Sequence, residues 1–416
     1  AAEMARIRQA ADVALGTGRI AGGHVTARFE AAVVDVQHYF GMVEAQAAAA
    51  GATLYQRASS ALTRNAQLFL LRWNAATRTF DSSAATSLDG KRIVVLLHGW
   101  PTLAGFGSDQ GLLEPQRSSW QSLMEYATGA AQGGPDLRSS FEFYTVRYDS
   151  DQRVYDHAIL LWQALAAEFA GRRVTVLAHA AGGLIAHAMV QQYDPAGDLF
   201  TDWPNGGIER LVTLNAPLHG TPLVQMLRPG GMTAPQPVAA VGAPLAFLAC
   251  GTPGTLDLAW DGFNSNPLTL WTNTDLLALN TPPLALAGTY VTYATGPFAA
   301  RGSADGALAA AGAQILALFG GDYANDGVVP VNSARLYRYV NGNYVSQTSE
   351  KGTGLDGYNH LQVTGGKTSG DLNADLYDET LYAAVLADAT AALPNEPLAR
   401  SISGTWRENG RRPRAS

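Results

Sequence analysis

The sequence predicts an α/β protein built on a mostly parallel, doubly wound sheet, and three observations carry that expectation. From residue 93 onward, strand and helix signals alternate, which is the signature of repeated βαβ units. The run Ile93-Val94-Val95-Leu96-Leu97 is apolar at every position, as a strand covered on both faces must be. The 416 residues, 47% of them hydrophobic, suffice for one large domain with insertions.

The elements follow in chain order. Val25, Phe29, Val33, Val36 and Phe40 recur near helical spacing, so residues 1–65 read as an N-terminal helical segment, its pattern closed by Gly51. Residues 67–73 and the stretch to Phe80 have strand character, and Asp89-Gly90 turns the chain into the run 93–97. Then come a strand over 141–148, a helix over 152–169, a strand over 173–178, a helix over 182–193 and a strand over 208–214. Residues 221–285 change character, becoming rich in Pro, Gly, Thr and Leu, and read as a lid or cap inserted over the carboxyl edge of the sheet. A strand returns at 289–295, a small-residue helix fits 304–319, and a last helical pattern covers 374–392. The main domain is thus expected over 66–400, with 401–416 as a tail.

Composition excludes several classes of function. A net charge of −7, with no basic stripe outside Arg411-Arg412-Pro413-Arg414, argues against nucleic-acid binding, which needs a row of cations to release counterions. Cys250 is the single cysteine, so neither an intramolecular disulfide nor a thiolate metal site can form. Charged residues make up only 15%, well below the roughly 25% usual for soluble domains, so the surface is sparsely charged. No stretch approaches the roughly 20 apolar residues that span a bilayer, and the chain is expected to be soluble. A secreted or periplasmic location is expected, although no signal peptide is evident in the chain.

Four segments carry chemistry. In Val176-Leu177-Ala178-His179-Ala180-Ala181-Gly182-Gly183 a buried strand runs into a helix through small residues. A strained strand-to-helix turn demands small neighbours two positions either side of its apex, here Ala178 and Gly182. The glycines do not fit the dinucleotide spacing G-x-G-x-x-G, although an ordinary turn of a nucleotide-binding sheet is the bland alternative. His98-Gly99-Trp100 ends the strand 93–97, Asn325-Asp326-Gly327-Val328-Val329 is a turn bearing a carboxylate, and Asn359-His360-Leu361 places a histidine in a polar loop before the last helix.

Together these segments resemble bacterial lipases and esterases of the α/β-hydrolase superfamily, in which the turn reads Ala-His-Ser-x-Gly-Gly. Over roughly 93–366 the resemblance implies an α/β-hydrolase fold and a triad in the order nucleophile, acid, base, falling here on position 180, Asp326 and His360. It implies oxyanion donors in the backbone N–H groups of Trp100 and Ala181. Pocket-lining roles fall on His179 and on Leu218 in the Pro-x-x-Gly-Thr-Pro segment, whose His219 is structural or pocket-lining. Trp260 and Trp271 of the apolar insert either line an acyl pocket or lid or serve plain packing, the commoner use of such a stripe. The expected substrate is a hydrophobic ester, a lipid or polyester, with interfacial contact with lipid and no cofactor. Asp322 and Asp356 are too few for a calcium cage, so no metal is expected.

The departure is Ala180, which has neither a nucleophile nor a proton to give up, so the chain as written is not expected to acylate. Two readings follow, a laboratory Ser-to-Ala change that inactivates an enzyme and a natural non-catalytic binding protein, and the intact surroundings favour the first. A serine peptidase or a thioesterase would use the same triad.

Overall fold

The computed structural model describes residues 54–58, 65–82, 87–99, 120–131, 133–148, 152–227, 253–262, 272–285, 289–296, 312–313, 324–340, 343–351, 360 and 379–392. Strands β1 (Leu54–Ala58), β2 (Asn65–Asn74), β3 (Thr79–Asp81), β4 (Arg92–Leu97), β5 (Phe141–Tyr148), β6 (Arg173–His179), β7 (Gly207–Leu214), β8 (Tyr290–Tyr293) and β11 (Ser349–Lys351) form one sheet. Its order is β1-β2-β5-β4-β6-β7-β8-β11, with β3 folded back on β2. From β5 to β11 every pairing is parallel, while β2 pairs antiparallel with β1, β3 and β5. This is the α/β-hydrolase fold. A two-stranded ribbon, β9 (Tyr337–Val340) with β10 (Asn343–Ser346), stands apart from the sheet.

The apolar run of β4 is explained by its position between β5 and β6. Its alternate residues face opposite layers: Ile93, Val95 and Leu97 join one core, Val94 and Leu96 the other. The first layer is built by helices α2 (Val154–Glu168) and α3 (Ala181–Gln191), and the second by α1 (Gln121–Ala127) and the last described helix, Glu379–Thr390. Each fully buried aliphatic side chain contributes about 1.5–3 kcal/mol by leaving water, so a polar residue at any of these β4 positions would be costly.

The chain leaves β4 toward β5 on one side and returns to place β6 on the other. That reversal opens a crevice outside the carboxyl ends of β4 and β6, where ligands of open α/β sheets bind. Close packing seals it from below. A Cβ at Gly182 would run into the backbone carbonyl oxygens of His98 and Leu97, so only glycine lets α3 sit this near the end of β4. Asn215 ties the ends of β7 and β8 by donating to Thr295 Oγ1 at 2.6 Å and accepting from the Thr295 N–H at 2.9 Å.

Several expectations need adjustment. Leu54–Ala58, inside the segment read as helical, is a strand paired with β2 over five residues. It lies beyond Gly51, where the helical pattern has ended, and it satisfies the outer edge of β2; residues 1–53 lie outside the described residues. Of the expected helix 304–319 only 312–313 are described, and of 374–392 the described part is helical over Glu379–Thr390. Among its described residues the insert forms three short helices, α4 (Pro222–Leu227), α5 (Pro253–Asp257) and α6 (Thr274–Leu279); 228–252 and 263–271 lie outside the described residues. Its described parts contribute to the core through Leu223, Val224, Leu258, Leu276 and Leu279. Among the described residues no helix is long and apolar enough to cross a membrane.

The insert also caps the domain electrostatically. The N-cap of α2 is Arg153, which has no capping side chain of its own, and the carboxylate of Asp257 at the end of α5 accepts the Val154 N–H at 2.8 Å instead. Arg153 Nη2 bridges Asp257 Oδ1 at 3.0 Å and Asp275 Oδ2 at 2.8 Å. Burial pushes Asp257 up to about 6 against the pull of Arg153, which marks how much desolvation this contact must offset. Replacing Asp257 by alanine removes a cap and half of the ion pair, and is expected to cost about 2–3 kcal/mol in urea unfolding. Asp257→Asn keeps an acceptor for Val154 and is expected to recover about 1 kcal/mol of that loss. Equal midpoints for the alanine and parent chains would show that the contact contributes nothing.

Candidate active site

Strand β6 ends at His179, and Ala180 follows with φ 48° and ψ −127°. An L-residue adopts this conformation only under constraint, at a cost of about 1–3 kcal/mol. The constraint is visible. Ala180 donates its N–H to Leu214 O at 3.1 Å, its carbonyl accepts from Gly183 N at 2.8 Å, and α3 starts at once with Ala181. The apex side chain is thereby lifted clear of the strand, with the amino end of α3 beneath it.

Gly99, from the loop after β4, packs on the apex. A Cβ on Gly99 would come within 2.6 Å of the Ala180 Cβ and 3.0 Å of His179 Nδ1, so glycine is required. The loop is held by His98, whose Nδ1–H donates to Gly99 O at 2.6 Å and whose ring stacks on Tyr148 at 4.3 Å. The Tyr148 hydroxyl donates to His98 O at 2.5 Å. Burial, helped by the Arg147 charge, pulls His98 down to about 3, so its ring is neutral and acts as a fixed donor.

The turn Asn325–Val329 presents Asp326 as a fully used acceptor. Asp326 Oδ1 takes the N–H of Val328 at 2.9 Å and of Val329 at 2.7 Å, leaving Oδ2 to accept from His360 Nδ1 at 2.7 Å. The tripeptide is therefore a turn whose geometry supplies the donors that orient the carboxylate. The His360 N–H donates to Asp326 O at 3.0 Å, and His360 O accepts from His179 Nε2 at 2.9 Å. With Nδ1 donating to the carboxylate, the basic lone pair of His360 lies on Nε2, and among the described residues nothing hydrogen-bonds that atom.

A second buried histidine–aspartate pair has a different geometry. His219 Nδ1 meets Asp261 Oδ2 at 2.7 Å, but its Nε2 donates to Tyr337 O at 2.7 Å, so both ring nitrogens are engaged. Asn280 donates to the same Asp261 oxygen at 3.0 Å and accepts from His187 Nε2 at 3.0 Å. The network joins the insert to the loop after β7 and to β9, and leaves no nitrogen of His219 for chemistry.

The structure thus brings His179, Ala180 and Asp326 together with His360, and sets Gly99 and the first turn of α3 beside them. Trp100 and Trp271 lie outside the described residues, as do Asp322 and Asp356. Leu218 and Trp260 are wholly buried in the core. The ring of His179 is turned to the backbone of His360, and that bond is its main described polar contact. No sequence signal marks Tyr148 or Asp261 as parts of these networks, because each meets its partner across tens of residues.

No protein-family model matches the chain, and no curated protein sequence matches it. Among solved structures it is similar to the mature Bacillus licheniformis lipase BlEst2, at TM-score 0.41 and 16% identity over 75% of this chain and 97% of that one. Against the propeptide form of the same lipase it covers 55% of that chain, at TM-score 0.39 and 17% identity. It is also similar to the metagenomic carboxyl esterase MGS0156, at TM-score 0.41 and 14% identity over 76% and 82% of the two chains. Staphylococcus hyicus lipase gives TM-score 0.39 and 13% identity over 73% and 97%.

Three buried histidines predict how the fold responds to acid. Burial holds His98 near 3 and His187 near 4, and it holds His179, next to His360, well below the ordinary value. The unfolded chain binds protons on these rings below pH 6.5 and the folded chain does not, so this stability is present above pH 6.5 and is lost as pH falls. Each ring costs about 1.4 kcal/mol per pH unit below 6.5 while it stays neutral in the fold. Asp257 acts the other way between about 6 and 3.8, one group against three. Urea midpoints are expected to drop from pH 7 to pH 5; a flat or rising midpoint would contradict neutral buried imidazoles.

Proposed function

We propose that the chain is a serine-type carboxylic ester hydrolase of the lipase or esterase kind, present here in an inactive form with alanine at the nucleophile position. The observation that carries this reading is the pairing of a strained apex at Ala180 with a carboxylate-held histidine, His360, bound back to the residue before that apex. Strain at a residue that does no chemistry is a cost without a return, and a serine there would present its Oγ to a base.

In the serine form, His360 Nε2 takes the hydroxyl proton as Oγ attacks the ester carbonyl. The imidazolium so formed is stabilised by Asp326. In this reading the N–H of Ala181, at the start of α3, is one oxyanion donor and the N–H of Trp100, which follows His98 and Gly99 in the chain, is the other. Collapse of the tetrahedral adduct expels the alcohol, which receives the proton from His360, and water repeats the sequence to release the acid. Hydrophobic esters are the favoured substrates because the chain is sparsely charged and its insert is apolar.

One observation favours a second reading, a non-catalytic protein that binds such ligands: alanine itself stands at the apex. The two separate on one substitution. Ala180→Ser is expected to create turnover of p-nitrophenyl esters at least about 10³-fold above the parent chain, and His360→Ala in that background is expected to abolish it. Peptide substrates assayed beside them are expected to stay uncut. A folded Ala180→Ser chain that turns over no ester of any acyl length would leave the binding reading in its place.

A further inference from the structure

His360 is fixed by three bonds. Its ring is held by Asp326 Oδ2 at 2.7 Å, its N–H by Asp326 O at 3.0 Å, and its carbonyl by His179 Nε2 at 2.9 Å. The first two come from the same turn and leave the residue free to pivot about it. The third comes from the other side, from the strand whose next residue is the apex. His179 therefore closes a bracket: the strand that presents position 180 also grips the backbone of the residue that must act on it.

The chemistry of His179 suits it for this task. Its partner is a carbonyl, so Nε2 must carry the hydrogen, and Nδ1 faces the close approach of Gly99. A ring buried this completely beside a second imidazole stays neutral, which fixes one tautomer and one bond direction. The rings of His179 and His360 lie 4.9 Å apart at 41°, so the gripping side chain also limits the tilt of the base. A plain apolar residue would fill the same volume and lack the bond.

We propose that His179 is a positioning residue that sets the register of the general base His360 against the nucleophile position, through the bond from its Nε2–H to the His360 carbonyl. The proposal deepens the hydrolase reading and rests on it for its kinetic consequence, though the bond itself does not. A displacement of the base by about 1 Å costs on the order of 10²-fold in rate without changing ground-state binding.

The test uses the full chain carrying Ala180→Ser, with His179→Gln, His179→Leu and His179→Asn added singly. Glutamine places an amide N–H where Nε2 stood, and asparagine is polar but too short to reach. His179→Leu and His179→Asn are expected to lower kcat about 10²-fold with KM within about twofold, while His179→Gln stays within about fivefold of the parent. Should leucine fail to fold, the asparagine and glutamine pair makes the same comparison. Equal kcat for glutamine and asparagine, or a loss confined to KM, would overturn the proposal. A second readout needs no activity. In the Ala180 chain with ¹⁵N-labelled histidine, the downfield proton signal of the His360 Nδ1–H is expected to survive His179→Gln and to broaden or vanish in the folded asparagine variant. Its persistence there would also overturn the proposal. Absence of ester turnover in every variant, with the signal behaving as stated, would count against the hydrolase reading alone.

Discussion

The bond from His360 Nδ1 to Asp326 Oδ2 joins two segments 34 residues apart, and the geometry of the whole crevice depends on it. It is held in one orientation because the Asp326 carboxylate has its other oxygen bonded by two backbone N–H groups of its own turn. A buried carboxylate left with unfilled acceptor sites would be expensive and mobile, and one filled by rigid donors becomes a fixed point. From that point outward the order is built by short contacts: the histidine backbone to the turn, the histidine carbonyl to His179, and His179 to the apex and Gly99.

The apex is where the fold stores strain. The backbone at Ala180 is held in its sparsely populated conformation by bonds to β7 and to the first turn of α3, and by a loop glycine too close to admit another carbon. Such strain, about 1–3 kcal/mol, persists where the surroundings over-determine the residue. On the proposed hydrolase reading a serine would gain from it, since its hydroxyl would face the base and the start of α3 would lie near the oxyanion. An alanine inherits the cost and uses none of the benefit. On that reading the surroundings suit a hydroxyl better than the methyl they contain.

Much of this was legible in the sequence because it is written in local signals. The all-apolar run of β4, the small residues around Ala180 and the Asn-Asp-Gly turn each depend on neighbours a few positions away, and the observed strands β4 to β7 start and end within a residue or so of where those signals place them. The segment Leu54–Ala58 was not legible as a strand, since its conformation is set by pairing with β2 and not by its own periodicity. Nor were the contacts that fix the site from outside. Tyr148 reaches His98 across 50 residues, Asp257 caps α2 across 103, and no spacing rule connects them. Trp260, for which the sequence left pocket and packing both open, is wholly buried, since an aromatic in an apolar stretch looks alike in either role.

Two histidine–aspartate pairs lie buried in one domain, and the contrast between them shows what makes such a pair chemical. Both have a ring nitrogen 2.7 Å from a carboxylate oxygen, and both are almost wholly removed from water. At His219 the opposite nitrogen is spent on the carbonyl of Tyr337, and Asp261 is shared with Asn280, so the pair serves as a clamp between the insert and the sheet edge. At His360 the further bonds go to the backbone, at the N–H and the carbonyl, and among the described residues the ring is held through one nitrogen. Rigidity is thus supplied without consuming the lone pair on Nε2. Proton transfer requires both conditions at once, a fixed ring and an available nitrogen, and of the two pairs only this one meets them.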